Sequence, residues 1–341
     1  MMALKWYFRY LRREFLALPS RSIVIILILF LLLLPVFVQD SYVLRIFALA
    51  SIFAIFAASW DLLSGFVGQI SLGHALFFGV ASYTSALLNL NYGISHWVTI
   101  PLGAFMAVLA GLIVGFPSLR LKGPYLALVT LAFPIMLLGL IYLLPGVTGG
   151  ELGVSGITRL ASTRIQEYYI TFFLMLFLCY GMWKITESKV GLIFHAIRED
   201  EIAVRTAGIN TARYKLLAFC VSGFFAGIAG GLYAHFIRIA GPGTLEIIMS
   251  LQAVIWVIFG GIATIYGAVL GVFILYPLVE FMRVVPEYRM IGFALIVIVV
   301  LRFMPEGITT WIRRKIEKEC PRCKVRNFFN RKECRVCNTY L

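Results

Sequence analysis

Long apolar stretches separated by short polar segments run through most of the chain. A helix that crosses the hydrocarbon core of a bilayer takes about 20 apolar residues, and ten stretches approach that length. They are 23–38, 44–63, 70–90, 97–116, 125–144, 168–185, 214–237, 247–265, 268–282 and 291–304. Glycines and polar residues crowd the stretch 65–79, which predicts a broken or re-entrant segment there. The pattern predicts an all-α polytopic membrane protein with about ten membrane segments.

Composition excludes the main alternatives. Of the 341 residues, 61% are hydrophobic and 13% are charged. A soluble domain cannot cover that much apolar surface, and a disordered chain would not contain it. Length and only six cysteines exclude a secreted disulfide scaffold. The first apolar run is followed by a poor cleavage site, so we expect it to be a membrane helix, not a signal peptide.

The distribution of basic residues predicts the orientation of the chain. With the N-terminus in the cytoplasm and ten alternating spans, 24 of the 30 Lys and Arg residues lie inside, as the positive-inside rule requires. Both termini are therefore expected in the cytoplasm, and the chain in the cytoplasmic membrane. Half of the net charge of +14 lies from Arg302 onward, so a nucleic-acid partner is not expected.

A charged loop at 187–213 carries a second pattern. Residues 192–207 have a helix-forming composition, and Ile193, Ile197 and Val204 recur on one face. Gly208 is placed to end that helix and Asn210 to cap the next one. A short amphipathic cytoplasmic helix is suited to docking into a groove on a soluble partner. The alternative is an ordinary solvated loop helix at the membrane surface.

Several motifs, in order along residues 40–304, resemble the permeases of branched-chain amino-acid ABC importers. In the loop, Gly-Leu-Ile-Phe-His-Ala-Ile-Arg-Glu-Asp-Glu at 191–201 resembles the loop that couples the permease to its ATPases. The other matching segments are 60–65 (WDLLSG), 68–74 (GQISLGH), 119–127 (LRLKGPYLA), 148–150 (TGG), 226–234 (AGIAGGLYA) and 259–261 (FGG). The chain departs from the family pattern at Asp61, Leu192 and His195.

The resemblance implies a translocation subunit that moves its solute by alternating access. Its implied partners are a second homologous permease, two cytoplasmic ATPases, an external solute-binding protein and the lipid bilayer. The chain has no Gly-x-x-x-x-Gly-Lys-Ser/Thr phosphate loop, so no nucleotide site is expected on it. The expected coupling residues are Gly191, Ala196, Arg198, Glu199, Asp200, Glu201 and Gly208.

A polar patch in the apolar chain is the candidate translocation path. It consists of Asp61, Gly68, Gln69, Ser71, Gly73 and His74. Polar groups in lipid are costly unless they face a cavity or another helix, so these residues either line the path or pack helices. For Asp61 the alternatives are a gate or stabiliser of a helix break, or an interfacial residue. Gly223, Gly227, Gly230 and Gly231 indicate close helix packing.

The C-terminal tail has the pattern of a small metal module. Cys320 and Cys323 form one Cys-x-x-Cys pair, and Cys334 and Cys337 form a second. Four thiolates in this arrangement give the closed tetrahedral geometry of structural zinc. A reducing cytoplasm disfavours disulfides. We therefore expect a zinc ribbon in which metal binding supplies the folding energy.

Together these features predict three regions and one function. A basic cytoplasmic segment covers 1–21, the permease domain with its coupling loop covers 22–304, and the cytoplasmic zinc-ribbon tail covers 305–341. The function is a non-enzymatic importer subunit for branched-chain or related amino acids. The alternatives are a permease of the same family for urea or short amides, a secondary carrier or channel, and a membrane enzyme or zinc-dependent regulator.

Overall fold

The computed structural model of the chain describes residues 19–118, 121, 123–282, 294, 298, 302, 307–321, 323, 326–328, 334, 337 and 340. These residues are mainly helical, as the apolar stretches predict. The helices are α1 (Pro19–Phe37), α2 (Ser41–Trp60), α3 (Ala75–Tyr92), α4 (His96–Ser118), α5 (Pro124–Leu143), α6 (Pro145–Thr148), α7 (Arg164–Thr186), α8 (Lys189–Glu199), α9 (Glu201–Thr206), α10 (Thr211–Ile237), α11 (Ile247–Gly260), α12 (Ile265–Phe281) and α13 (Ile308–Ile316).

Short elements connect these helices. A π-helical turn, Asp61–Phe66, continues α2, and 3-10 turns cover Gly150–Leu152 and Pro242–Leu245. Two antiparallel pairs of short strands are present. In the first, β1 (Val154–Ser155) pairs with β2 (Ile239–Ala240). In the second, β3 (Glu317–Glu319) pairs with β4 (Arg326–Phe328), with Lys318 opposite Asn327.

Helix α2 and the π-helical turn form the centre of the bundle. Every residue from 48 to 67 is buried, and α2 packs against α7, α10, α11 and α12. Glycines let α10 approach α3 and α4 closely. A Cβ at Gly227 would lie 2.7 Å from Ala104 Cα, and one at Gly230 would overlap the carbonyl of Phe78. The helix-packing interpretation of the glycines on α10 is therefore confirmed at these positions.

The described residues contain five helices that are long and apolar enough to cross a membrane. These spans are Ser41–Phe66, His96–Pro117, Pro124–Leu143, Arg164–Thr186 and Thr211–Ile237. They match five of the ten predicted stretches, so a polytopic helical membrane protein is confirmed, but ten spans are not. The predicted stretch 291–304 lies outside the described residues except at 294, 298 and 302.

The prediction of two complete spans over 247–282 is wrong. Helices α11 and α12 have 14 and 17 residues and are bent by 109° across a short break, as in one broken span or a re-entrant loop. The break is formed by residues 261–264, where Gly261 has a φ of 126° and Ala263 a φ of 59°. An apolar run does not reveal such a break, because hydropathy reports burial and not backbone direction.

Candidate functional site

A broken segment at 61–74 lies at the centre of the helix bundle. The helical path of α2 widens into the π-helical turn, residues 67–74 are not helical, and α3 starts at Ala75. Gly68 has a φ of 76°, which a residue with a Cβ rarely adopts. The predicted interruption of the membrane helix is therefore confirmed.

Side chains replace the helical hydrogen bonds that the broken segment loses. Backbone groups inside a membrane bundle need such partners, because no bulk water satisfies them. Two side chains donate to carbonyl oxygens of the segment: Trp60 Nε1 to Ser71 O (2.7 Å) and Ser64 Oγ to Gln69 O (3.0 Å). Two hydroxyls accept from its backbone N–H groups: Thr130 Oγ1 from Leu72 N (3.2 Å) and Ser250 Oγ from Ala75 N (2.8 Å). These polar residues hold an irregular backbone in one conformation.

The predicted path residues gather along this segment. Gln69, Ser71, Gly73 and His74 are buried, whereas Gly68 is exposed. His74 Nε2 and Ser59 Oγ are 2.8 Å apart, and a side chain at Gly73 would overlap the carbonyl of Thr130. Among the described residues, Gln69 Oε1 and His74 Nδ1 have no hydrogen-bond partner. The segment is thus a polar strip within the core, and a lining role in transport stays a prediction.

Asp61 joins the two breaks of the bundle. Its side chain is completely buried, and Oδ1 accepts a 2.7 Å hydrogen bond from the backbone N–H of Ala263. The interpretations of Asp61 as a gate and as an interfacial residue stay predictions. The interpretation as a stabiliser of a helix break fits, since the carboxylate satisfies a backbone donor in the 261–264 break.

The loop at 187–213, which the resemblance predicts to couple the permease to its ATPases, contains two helices where the sequence predicts one over 192–207. Asp200 ends α8 in an extended conformation, with φ −152° and ψ 100°. Its carboxylate Oδ1 then accepts hydrogen bonds from Ile202 N (2.8 Å) and Ala203 N (3.1 Å) and so caps α9. Asp stabilises a helix start better than a helix interior, which explains the break. The predicted cap Asn210 is confirmed and accepts from Arg213 N.

Helix α8 lies directly against the broken segment. Arg198 Nη1 donates a 2.6 Å hydrogen bond to the carbonyl oxygen of Gly65. The ring of His195 packs edge-on against Phe66, with centroids 5.0 Å apart. Partial burial, followed by the nearby Arg198 charge, lowers the pKa of His195 below its ordinary value. His195 is therefore neutral at pH 7, which suits an aromatic contact.

The predicted coupling residues divide into an inward and an outward group. Gly191 is buried so tightly that a Cβ would overlap the carbonyl of Thr186. Glu201 forms ion pairs with Lys215 (2.8 Å) and Arg205 (2.7 Å) within the chain. The exposed members are Ala196, Arg198, Glu199, Asp200 and Gly208. Arg198 is exposed although its guanidinium bonds to Gly65 O.

Sequence reasoning missed the residues that tie the site together. Lys215 is almost fully buried beneath the loop, and residues 261–264 receive the carboxylate of Asp61. The signal was present in the glycines at 260 and 261, since paired glycines within an apolar run indicate a break. Lys215 gave no signal, because its partner Glu201 lies 14 positions earlier on another helix.

The four tail cysteines come together. Their sulfur atoms all lie within 4.8 Å of one another, and neighbouring sulfurs are 3.3 to 3.4 Å apart. A tetrahedron of thiolates around zinc, with Zn–S bonds of about 2.3 Å, has sulfurs about 3.8 Å apart. The observed separations of 3.3 to 3.4 Å between neighbouring sulfurs are too long for disulfide bonds. The donor set therefore fits a tetrathiolate metal site.

Comparisons with known proteins agree with this arrangement. A family model described as "Branched-chain amino acid transport system / permease component" matches residues 42–301. The chain is 30% identical over 298 residues to the high-affinity branched-chain amino acid transport system permease protein LivM of Escherichia coli (strain K12), covering 79% of this chain and 70% of that protein. It is 26% identical over 298 residues to LivH of the same organism, covering 79% and 94%.

A further relative shows the same likeness over a shorter part of the chain. The probable branched-chain amino acid transport permease protein LivH of Methanocaldococcus jannaschii is 28% identical over 210 residues, which cover 58% of this chain and 66% of that protein. No solved structure matches the chain significantly. The family model covers both breaks and the whole coupling loop. The chain belongs to the family of branched-chain amino acid transport system permease components.

Proposed function

We propose that this chain is the membrane-spanning subunit of an ABC importer that moves branched-chain or related amino acids by alternating access. The observation that carries the proposal is the hydrogen bond from Arg198, on the exposed coupling loop, to Gly65 in the broken membrane segment. A push on α8 from the cytoplasm would reach the bundle interior through this contact. Broken helices are the usual place for a transport site, since their backbone can line a cavity.

The proposed partners follow from the family and from the exposed loop surface. ATP hydrolysis would take place on two cytoplasmic ATPases that contact Ala196, Glu199 and Asp200. A second homologous permease would complete the membrane unit, in keeping with likeness to both LivM and LivH. An external binding protein would deliver the solute. The translocation path is proposed to follow Asp61, Gln69, Ser71 and His74. Among the described residues, Asp61 Oδ2, Gln69 Oε1 and His74 Nδ1 have no hydrogen-bond partner and can bind water or solute.

The proposed arrangement in the membrane keeps the three regions of the sequence analysis. Residues 1–21 are a basic cytoplasmic segment, 22–304 form the permease domain, and 305–341 form a cytoplasmic tail that binds structural zinc. Both termini face the cytoplasm. We propose about ten membrane segments, in which α11 and α12 are the two arms of a re-entrant unit that begins and ends on the same side of the membrane, so that the number of complete crossings stays even.

Reconstitution tests the proposal. The chain is purified with its candidate partners, placed in vesicles and supplied with ATP and labelled leucine, urea or acetamide. We expect leucine to accumulate only when the ATPases and ATP are present. Uptake of urea or acetamide alone would favour the alternative within the family. Transport by the chain without ATPases would contradict the importer proposal and favour a secondary carrier.

A bulky substitution tests the docking surface. Ala196→Trp adds volume at an exposed position of α8, so the permease should fold normally but fail to retain the ATPases during purification. The matched control is Leu152→Trp, at a position 89% exposed in the predicted outer loop. That variant should retain the ATPases. Equal retention by both variants would contradict the docking role of α8.

A further inference from the structure

The start of the C-terminal tail packs on the 261–264 break. Thr309 Oγ1 donates a 2.6 Å hydrogen bond to the carbonyl oxygen of Gly260, the last residue of α11. Gly307, with a φ of 85°, lies so close that a Cβ would be 2.6 Å from Gly261 Cα. Thr309 is 6% exposed. This contact is therefore a buried dock that satisfies a helix-terminal carbonyl.

The same break is held from the other side by Asp61. The carboxylate bonds to Ala263 N, three residues from the carbonyl that Thr309 binds. The π-helical turn that starts at Asp61 contains Gly65, the acceptor for Arg198. A continuous set of contacts thus runs from the tail through the break and the π-helical turn to the coupling loop.

The cysteine cluster follows this dock closely along the chain. Helix α13 ends at Ile316, β3 starts at Glu317, and Cys320 follows β3 directly. The β3–β4 pair has three residues on each strand, which is too small to be stable in water without support. A metal bound by four thiolates supplies that support and couples the fold of the tail to metal binding.

We propose that Cys320, Cys323, Cys334 and Cys337 bind one zinc ion, and that the zinc-folded tail is a clamp that holds α13 on the 261–264 break. Zinc, with no preferred geometry of its own, suits a closed tetrathiolate site. The family model matches residues 42–301, so the clamp lies outside the part of the chain that this model covers. Loss of zinc would release α13, loosen the break and weaken the link between coupling loop and bundle. This last consequence rests on the proposed function, whereas the metal site and the clamp do not.

The first experiment measures metal and backbone motion on the full purified chain. Zinc is quantified by elemental analysis in the wild type and in a variant that combines Cys320→Ser with Cys334→Ser. Hydrogen exchange is followed in peptides that cover 257–264 and 307–312. The control combines Cys179→Ala with Cys220→Ala, which removes the two cysteines of the membrane helices α7 and α10.

We expect one zinc per chain in the wild type and in the control, and none in the tail variant. The tail variant should show faster exchange in both peptides. Absence of zinc from the wild type, or iron in its place, would overturn the zinc assignment. If the tail variant has lost its zinc and its tail has unfolded, but exchange over 257–264 is unchanged, the clamp proposal is overturned.

A second variant tests the clamp without touching the metal ligands. Thr309→Val removes the hydroxyl that bonds to Gly260 O and keeps the side-chain shape. Zinc should be retained, and exchange over 257–264 should rise about fivefold, the factor that corresponds to a hydrogen bond worth about 1 kcal/mol. Thr310→Val, one residue along α13, is the matched control and should leave exchange unchanged. Equal exchange in the two variants would contradict the dock at Thr309.

ATP-driven uptake by the zinc-free variant separates the clamp from the proposed function. If the wild type transports and the zinc-free variant transports less, the proposed function and the influence of the clamp on coupling are both supported. If the wild type transports and the zinc-free variant is equally active, the influence of the clamp on coupling is refuted. If the wild type fails to transport with its ATPases, the proposed function fails, while the zinc content and the exchange results still decide the clamp.

Discussion

Arg198 and Gly65 are joined by a 2.6 Å hydrogen bond although 133 positions separate them in the chain. The donor belongs to a surface helix of the coupling loop and the acceptor to the π-helical turn in the middle of the bundle. A π-helical turn leaves carbonyl groups available for outside donors, which is why such turns recur at functional sites. The bond is thus a direct mechanical contact between the loop and the broken segment.

Removal of the guanidinium should uncouple transport from ATP hydrolysis. In Arg198→Ala the carbonyl of Gly65 loses its donor, so movement of α8 no longer pulls on the π-helical turn. We expect ATP hydrolysis by the assembled importer to continue while solute uptake falls, measured as the ratio of the two rates in vesicles. Arg213→Ala, at an exposed position of the same loop, is the control. An unchanged ratio in Arg198→Ala would contradict this role.

The close approach of the two breaks should make Gly65 intolerant of a side chain. A Cβ at this position would overlap the Asp61 carboxylate and lie 2.9 Å from Ala263 N. Gly65→Ala should therefore lower stability by about 1–3 kcal/mol, the usual cost of overpacking, and lower the thermal midpoint of the purified protein. Gly139→Ala, on α5 with open space around it, should keep the wild-type midpoint. Equal thermal midpoints for Gly65→Ala and Gly139→Ala would contradict the close approach of the two breaks at Gly65.

The turn between α9 and α10 should depend on the backbone of Gly208. Its φ is 83°, and its N–H donates to the carbonyl of Arg205 (2.9 Å). Proline cannot adopt this φ and has no N–H, so Gly208→Pro should abolish uptake and leave membrane insertion intact. Asn tolerates the left-handed conformation, so Gly208→Asn should retain most uptake. Wild-type uptake by the proline variant would count against the coupling role.

Acid should weaken the contact between α8 and the broken segment. Burial and Arg198 lower the pKa of His195, so folding disfavours its protonation. The contribution of a neutral His195 is complete above the ordinary histidine pKa of about 6.5 and is lost as the pH falls from there towards the lowered value. The protection factors for hydrogen exchange in α8, which are corrected for the intrinsic pH dependence of amide exchange, should fall over that window in the wild type and not in His195→Gln. Identical pH profiles would refute the prediction.

What the sequence determined was the class of protein and the identity of its parts. Apolar runs require helices buried in lipid, because only helices satisfy their own backbone there. The crowded glycines at 65–79 predicted the broken segment, and the paired cysteines predicted the cluster. Gly208 and Asn210 predicted where one loop helix ends and the next helix begins. Each is a local signal, carried by residue type and spacing within one stretch of chain.

The tertiary structure decided which of these parts touch. That Asp61 bonds to Ala263, that Arg198 reaches Gly65, and that Thr309 docks on Gly260 depends on distances between stretches far apart in the sequence. The break at 261–264 turned two predicted spans into one bent unit, and Asp200 divided the predicted coupling helix. Backbone direction at such breaks is set by packing and by hydrogen bonds to distant groups, which neither hydropathy nor periodicity records.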